Sequence, residues 1–100
     1  MSDFIISCDF DLTDAIKNHV NSELQALKKY LPEESHFSVY LSRDAKSVFH
    51  SKLSVRVWKH DLFAEDQSDD LYKSITATKN KLSREIKDLK DRFEAKKKHN

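Results

Sequence analysis

The sequence predicts a single α+β domain with the element order β-α-β-β-β-α, in which a four-stranded sheet carries both helices on one face. Two separate segments have apolar residues at intervals of three and four, the pattern of a one-faced helix. Between them the interval changes to two, the pattern of a half-buried strand. The 100 residues contain no repeat or linker that would divide them, so we expect one domain over 1–100.

The chain begins with a predicted strand and helix. A short apolar run indicates the first strand: Phe4, Ile5, Ile6 and Cys8. Thr13 is suited to cap the helix that follows, because its hydroxyl can accept from a free backbone N–H. One face of that helix is apolar: Ile16, Val20, Leu24, Leu27 and Leu31. Pro32 stops it, which predicts a helix over about 14–30.

Three further strands are predicted by alternation of apolar and polar residues. The second has its apolar face at Phe37, Val39 and Leu41. The third has its apolar face at Phe49, Leu53, Val55 and Val57. A short fourth strand covers 62–65, and turns are expected at 43–46 and 59–61. Both helices must bury their apolar stripes, and covering one face of this sheet is the economical solution.

The second helix is predicted over about 70–95. Ser68, Asp69 or Asp70 can cap its first turn. Its narrow stripe consists of seven positions: Leu71, Ile75, Thr78, Leu82, Ile86, Leu89 and Phe93. We expect the basic tail, about 96–100, to be disordered.

Composition excludes several classes of function. The chain has no glycine, which rules out glycine-rich phosphate loops and leaves Asn, Asp, Lys or His for positive-φ turns. Its single cysteine, Cys8, cannot form an internal disulfide and suits a small core residue. No apolar run is long enough for a membrane, no signal peptide is visible, and the histidines lack zinc-motif spacing. We expect a cytoplasmic protein that is not an enzyme, with no metal, cofactor, membrane partner or small-molecule substrate.

Charge is segregated along the chain. Residues 1–70 contain 8 Lys/Arg and 13 Asp/Glu, a net −5, whereas residues 71–100 contain 10 and 4, a net +6. A basic second helix can follow a phosphate backbone, but it can equally be an ordinary salt-bridged surface, with Asp88 paired to Arg84 and Arg92 and Glu94 to Lys90.

The uncovered sheet face is a second candidate surface. Aromatic and basic residues are expected there: Tyr40, His50, Lys52, Arg56, Trp58 and Phe63. They could stack on nucleobases or hold a protein partner, or they could be ordinary cross-strand pairs that cover a sheet.

Five segments in order resemble one known family. Residues 10–16 (FDLTDAI) are similar to its "VEITEAL" entry to helix 1, and residues 27–31 (LKKYL) to its "LEQYF" exit. Residues 37–41 (FSVYL) match a "VxVxL" strand, and residues 70–75 (DLYKSI) resemble "DMYAAI". Residues 81–86 (KLSREI) match "KLxRQL". Together they resemble the short form of the ribosome hibernation-promoting factor and ribosome-associated inhibitor Y family.

That resemblance implies a fold akin to double-stranded RNA-binding domains and a function in translation control. It implies binding to ribosomal RNA of the small subunit, where messenger RNA and the A- and P-site transfer RNAs sit, with steric occlusion, no reaction and no required oligomer. The RNA-binding residues it implies are Lys81, Arg84, Lys90 and Arg92, with Lys79 and Lys87 nearby and Lys17 on helix 1. Helix 1 departs from the family at Glu23 and Ala26, which are often lysine there. The alternative is a divergent protein-interaction module of the same fold that does not bind ribosomes.

Overall fold

Six elements follow one another in the predicted order. The computed structural model describes the backbone of residues 4–32 and 35–98, and the side chains of those residues as far as Arg92. The elements are β1 (Phe4–Cys8), α1 (Asp14–Lys28), β2 (His36–Arg43), β3 (Phe49–Val57), β4 (His60–Ser68) and α2 (Leu71–Lys98). The predicted α+β fold class is therefore confirmed.

The sheet has the order β1-β2-β3-β4. β1 lies parallel to β2, with Ile5 opposite Ser38, and α1 provides the crossover that a parallel pair requires. β2, β3 and β4 form the expected antiparallel meander, in which Ser38 faces Ser54 and Ser54 faces Phe63. Because side chains alternate along each strand, one face of the sheet is covered by the helices and the other is open.

The core lies between the sheet and the two helices. Strand residues that alternate inward are almost fully buried, including Phe37, Leu41 and Leu53. They pack in one cluster with the stripe of α1, such as Leu24, and the stripe of α2, such as Ile75. Both helices therefore cover the same face of the sheet, as the two apolar stripes predicted.

Both helices begin at the predicted caps. The backbone N–H of Ile16 donates to the Thr13 hydroxyl at 3.3 Å. The Asp70 carboxylate accepts from the N–H groups of Tyr72 and Lys73 at 2.9 and 3.2 Å. Each cap satisfies backbone donors that the first helical turn leaves without an intrahelical acceptor.

Small polar residues let α2 approach β3 closely. The Ser74 hydroxyl donates its proton to the Leu71 carbonyl. It is therefore the acceptor in its 2.7 Å hydrogen bond with the Ser51 hydroxyl. Thr78 donates to the Ser74 carbonyl at 2.7 Å. Ser51, Ser74 and Thr78 are buried yet hydrogen-bonded, so they add no unsatisfied polar group to the core.

Two element ends differ from the sequence expectation. β4 has nine residues instead of the expected four, because its polar outer half still pairs with β3 as far as Phe49 and Ser68. α2 continues to Lys98 instead of ending near 95. The expected disordered tail is thus helical in its backbone over 96–98, while His99 and Asn100 lie outside the described residues.

Two of the three positive-φ positions in the described turns have residue types that the sequence did not single out. Positive φ angles occur at Ser47 (63°), Trp58 (52°) and Lys59 (66°), and only the last is a type we expected. Because Val57 pairs with His60, Trp58 and Lys59 form a two-residue hairpin loop of the type that needs positive φ at both positions. Trp58 therefore leaves the open face, where we expected it, and packs half-buried against the core.

Candidate nucleic-acid interface

α1 and α2 run side by side in the same direction. Near their first turns the ring of His19 meets Tyr72 edge-on, with centroids 4.9 Å apart. Toward their ends, Leu27 and Ile86 line a common groove. The C-terminal end of α1 consequently lies beside the part of α2 around Ile86, and α2 continues beyond it to Lys98.

A polar cluster joins the helices midway. The Glu23 carboxylate accepts from the Thr76 hydroxyl at 3.3 Å and from the Lys79 ammonium at 3.2 Å. His19 Nε2 lies 3.3 Å from the Thr76 hydroxyl and 3.9 Å from Glu23. Lys79, one of the expected RNA-binding residues, is largely buried in this seam and holds the helices together.

Lys81 is also engaged within the protein. Its ammonium lies 3.3 Å from the Asp66 carboxylate and donates to the Glu65 carbonyl at 3.2 Å, which ties α2 to β4. The pKa of Asp66 is lowered, first by the hydrogen bond from the Gln67 backbone N–H and then by Lys81. Half of the Lys81 side chain remains exposed. A ligand that binds its ammonium would compete with these two contacts.

The other expected bases of α2 are exposed. Arg84, Lys87, Lys90 and Arg92 form no ion pair with any residue whose side chain the structure describes. Lys87 and Lys90 line the groove beside α1. At 100° per residue, Arg84 points outward and Arg92 shares the β4 side of the helix with Lys81.

Lys17 does not join this group. It is exposed on α1, but helical spacing places it on the flank opposite His19 and Glu23, the residues that meet α2. The structure therefore brings two of the seven expected residues, Lys87 and Lys90, together along one groove. Arg84 lies about one turn before Lys87 on the exposed side of α2, and the exposed Lys29 is next to Tyr30 of the same groove. We call these four residues the basic flank.

Two of the three anticipated intrahelical pairs are absent among the described side chains. Within the described side chains, Asp88 makes no ion pair with Arg84 or Arg92. Glu94, the expected partner of Lys90, lies outside the described side chains. The positive charge of the basic flank is therefore not neutralised by Asp88.

Sequence reasoning missed one residue beside the basic flank. Tyr30 is 59% exposed and lines the groove with Leu27 and Lys90. A signal was available, because the helical stripe passes from Leu27 to Leu31 and leaves Tyr30 outside the apolar register. An aromatic residue that lies outside the apolar stripe and next to two lysines is a candidate binding residue.

The open face of the sheet has its own internal pairs. Arg56 donates to both Asp61 carboxylate oxygens at 3.0 and 2.9 Å, and the Lys52 ammonium lies 5.2 Å from the centre of the Phe63 ring. Tyr40 and Phe63 are nevertheless 49% and 59% exposed. This face offers apolar surface with its cations already engaged.

The described residues provide neither a cluster of metal ligands nor a membrane-spanning helix. No group of three or more His, Cys, Asp or Glu side chains there is arranged to hold a metal ion. Neither helix, over its described residues, has an apolar stretch of the length and composition needed to cross a membrane.

One family model matches residues 5–94 of the chain, nine-tenths of its length. The family is described as sigma 54 modulation protein / S30EA ribosomal protein.

Two curated relatives carry the name ribosome hibernation promotion factor. The protein from Lactococcus lactis subsp. cremoris (strain MG1363) is 31% identical over an alignment of 88 residues, and the match covers 86% of this chain and 48% of the relative. The protein from Staphylococcus aureus (strain COL) is 29% identical over an alignment of 87 residues, and the match covers 85% of this chain and 46% of the relative. The chain thus spans about half the length of these relatives.

Two solved structures share the fold. The N-terminal domain of Thermus thermophilus Protein Y superposes with a TM-score of 0.77 at 26% identity, covering 86% of this chain and 94% of that one. A ribosomal subunit interface protein from Coxiella burnetii also gives 0.77, at 16% identity, covering 88% and 98%. The second likeness supports the fold alone.

Proposed function

Because this chain belongs to the sigma 54 modulation protein / S30EA ribosomal protein family, we propose that it is a bacterial ribosome hibernation factor. It binds the ribosomal RNA of the small subunit in the cytoplasm, in the channel that messenger RNA and the A- and P-site transfer RNAs use. Its bulk blocks that channel under stress or in stationary phase. The action is binding without a chemical reaction.

The observation that best supports this function is the basic flank. Arg84, Lys87 and Lys90 are exposed and form no ion pair among the described side chains, so their charge is available to an anionic ligand. Phosphate groups attract such side chains through charge, and arginine can also bind them in a bidentate way. Because α1 ends beside this part of α2, Lys29 adds a further base just after the end of α1.

Charge reversal tests this role. We expect Lys87→Glu with Lys90→Glu to weaken binding to purified small subunits by roughly tenfold or more, measured by co-sedimentation. Losing two phosphate contacts should also flatten the plot of log affinity against log salt by about 1.5. The free energy of unfolding should change little, because both side chains are exposed.

The matched control reverses two bases elsewhere. Lys46→Glu with Lys73→Glu changes the net charge equally, but Lys46 lies in the β2–β3 turn and Lys73 in the first turn of α2, away from the basic flank. This control should bind like the original chain. Equal weakening by both pairs would show a general effect of net charge and would count against the basic flank.

A second candidate function is a protein-interaction module that uses the open sheet face. It is favoured by the exposure of Tyr40 and Phe63 there, together with the internal pairing of Arg56 with Asp61. An apolar interface on this face would lose affinity on Phe63→Ser and would respond little to salt. RNA binding by the basic flank would show the opposite pattern.

A further inference from the structure

A groove lies between the C-terminal halves of α1 and α2. Its volume is about 400 Å³, which is within the range of small-ligand sites. Leu27 and Ile86 line its apolar floor, and both side chains are almost fully buried. Tyr30 forms one wall, while Lys87 and Lys90 form the other.

We propose that this groove, which we call the Tyr30 groove, holds one unpaired nucleotide of the bound RNA. The base stacks on the Tyr30 ring, and the phosphates on either side of it meet Lys87 and Lys90. The inference rests on the proposed function and names a contact of a different kind from phosphate binding. It assigns base recognition to a residue of α1.

Tyr30 is presented for stacking. Its side chain is 59% exposed, the highest value with Phe63 among the large aromatic residues of the described chain. Its backbone is nevertheless fixed, because Tyr30 N–H donates to the Leu27 carbonyl at 3.1 Å and Leu31 N–H donates to the Lys28 carbonyl at 3.2 Å. Because the backbone is already ordered, only the rotamer freedom of the side chain is lost when a base stacks on the ring.

The charge beside the ring suits a nucleotide better than an apolar peptide. Lys87 and Lys90 are three residues apart, so their Cβ atoms are about 5 to 6 Å from each other on the helix surface. Neither forms an ion pair with a described side chain, so both can meet phosphates. An aromatic ring flanked by two such bases is the arrangement by which single-stranded nucleic acids are bound.

The groove also contains groups that can meet the edge of a base. Ser83 and Asp91 complete its lining. A carboxylate accepts hydrogen bonds and repels phosphate, so Asp91 favours the N–H groups of a base at that point. The serine hydroxyl can donate or accept. A guanine, which has two neighbouring N–H donors on its pairing edge, fits this combination well.

Substitution of the tyrosine tests the inference. Tyr30→Ala should weaken binding of the full chain to small ribosomal subunits by roughly tenfold. Tyr30→Trp should bind about as well as the original chain, because an indole ring also stacks on a base. The salt dependence should stay that of the original chain, since no phosphate contact is removed. Tyr40→Ala is the matched control, an exposed tyrosine on the open sheet face, and should bind normally.

Two results would overturn the inference while leaving the proposed function intact. One is a Tyr30→Ala affinity within twofold of the original chain, and the other is equal weakening by Tyr30→Ala and Tyr40→Ala. If the original chain does not bind small subunits at all, the proposed function fails, and the groove is tested by NMR with a single-stranded RNA hexamer containing one guanosine. Shifts of Leu27 and Ile86 methyl signals that a duplex does not produce would support the groove, and unchanged methyl signals would overturn it.

Discussion

Asp44 organises the connection between β2 and β3 with one carboxylate. It accepts from the backbone N–H groups of Lys46 and Val48 at 2.8 and 3.1 Å, and it lies 3.1 Å from His50 Nε2. The hydrogen bond with His50, followed by the two backbone bonds, lowers the pKa of Asp44 below its ordinary value of 3.8. The charged form of this side chain therefore favours the folded state.

This pKa shift predicts acid sensitivity of the turn. A lowered pKa in the folded state stabilises the fold above the unfolded value of 3.8, and that stabilisation is lost as the pH falls through the folded pKa. Asp44→Asn should therefore be less stable than the original chain near neutral pH, and the difference should shrink below pH 3.8. Urea unfolding at several pH values measures it, and a difference that stays constant down to the lowest pH would contradict the assignment.

Individual side chains show where sequence reasoning reaches its limit. Spacing identified Lys79 and Lys81 as exposed bases, but each meets a carboxylate from a distant part of the chain, Glu23 and Asp66. Helical periodicity reports which face a residue occupies, whereas these partners are 56 and 15 residues away. Glu23, one of the two helix 1 positions at which the sequence departs from the family that it resembles, is the partner of Lys79.

At the scale of elements, the seam between α1 and α2 depends on Glu23. We expect Glu23→Gln to lower the free energy of unfolding by about 1 to 3 kcal/mol, because it removes a charge-assisted hydrogen bond and leaves Lys79 in a largely buried site. Glu85→Gln, an exposed acid of α2, is the control and should stay within about 0.5 kcal/mol. Chemical unfolding measures both, and equal effects would show that the seam adds nothing.

The stripe of α2 makes a second prediction for this element. Leu82 is completely buried, so Leu82→Ala should cost about 2 to 5 kcal/mol through lost burial and the cavity it leaves. Arg84→Ala, two residues along the same helix and exposed, should cost far less. A small loss for Leu82→Ala, seen in thermal or urea unfolding, would contradict the packing of α2 on the sheet.

Elements with a strong hydrophobic period were predictable, and their ends were less so. The stripes of α1 and α2 and the alternation of β2 and β3 specified four elements, and Thr13 and Asp70 marked two helix starts. The outer half of β4 has few apolar residues, so alternation did not predict it. It is a strand because it pairs with β3, and pairing between strands leaves no local signal in the sequence. The hairpin at Trp58 and Lys59 was equally hidden, because register determines which residues form it.

At the scale of the whole molecule, the fold concentrates the charge asymmetry that the sequence already contains. The last 30 residues carry a net +6. Since α1 and α2 run in the same direction, Lys29, just after the end of α1, lies near the part of α2 that carries Lys87 and Lys90. The sequence alone could not place Lys29 and Tyr30 beside α2, because that requires knowing the relative direction of the two helices.

The central claim is that this chain binds small-subunit RNA through charge, and co-sedimentation of the purified chain with bacterial small ribosomal subunits at low and high salt tests it most directly. We predict binding at low salt that falls steeply, by about 0.7 to 0.9 in log affinity per phosphate contact for each tenfold rise in salt. Absence of binding at low salt, or binding that does not change with salt, would contradict the account.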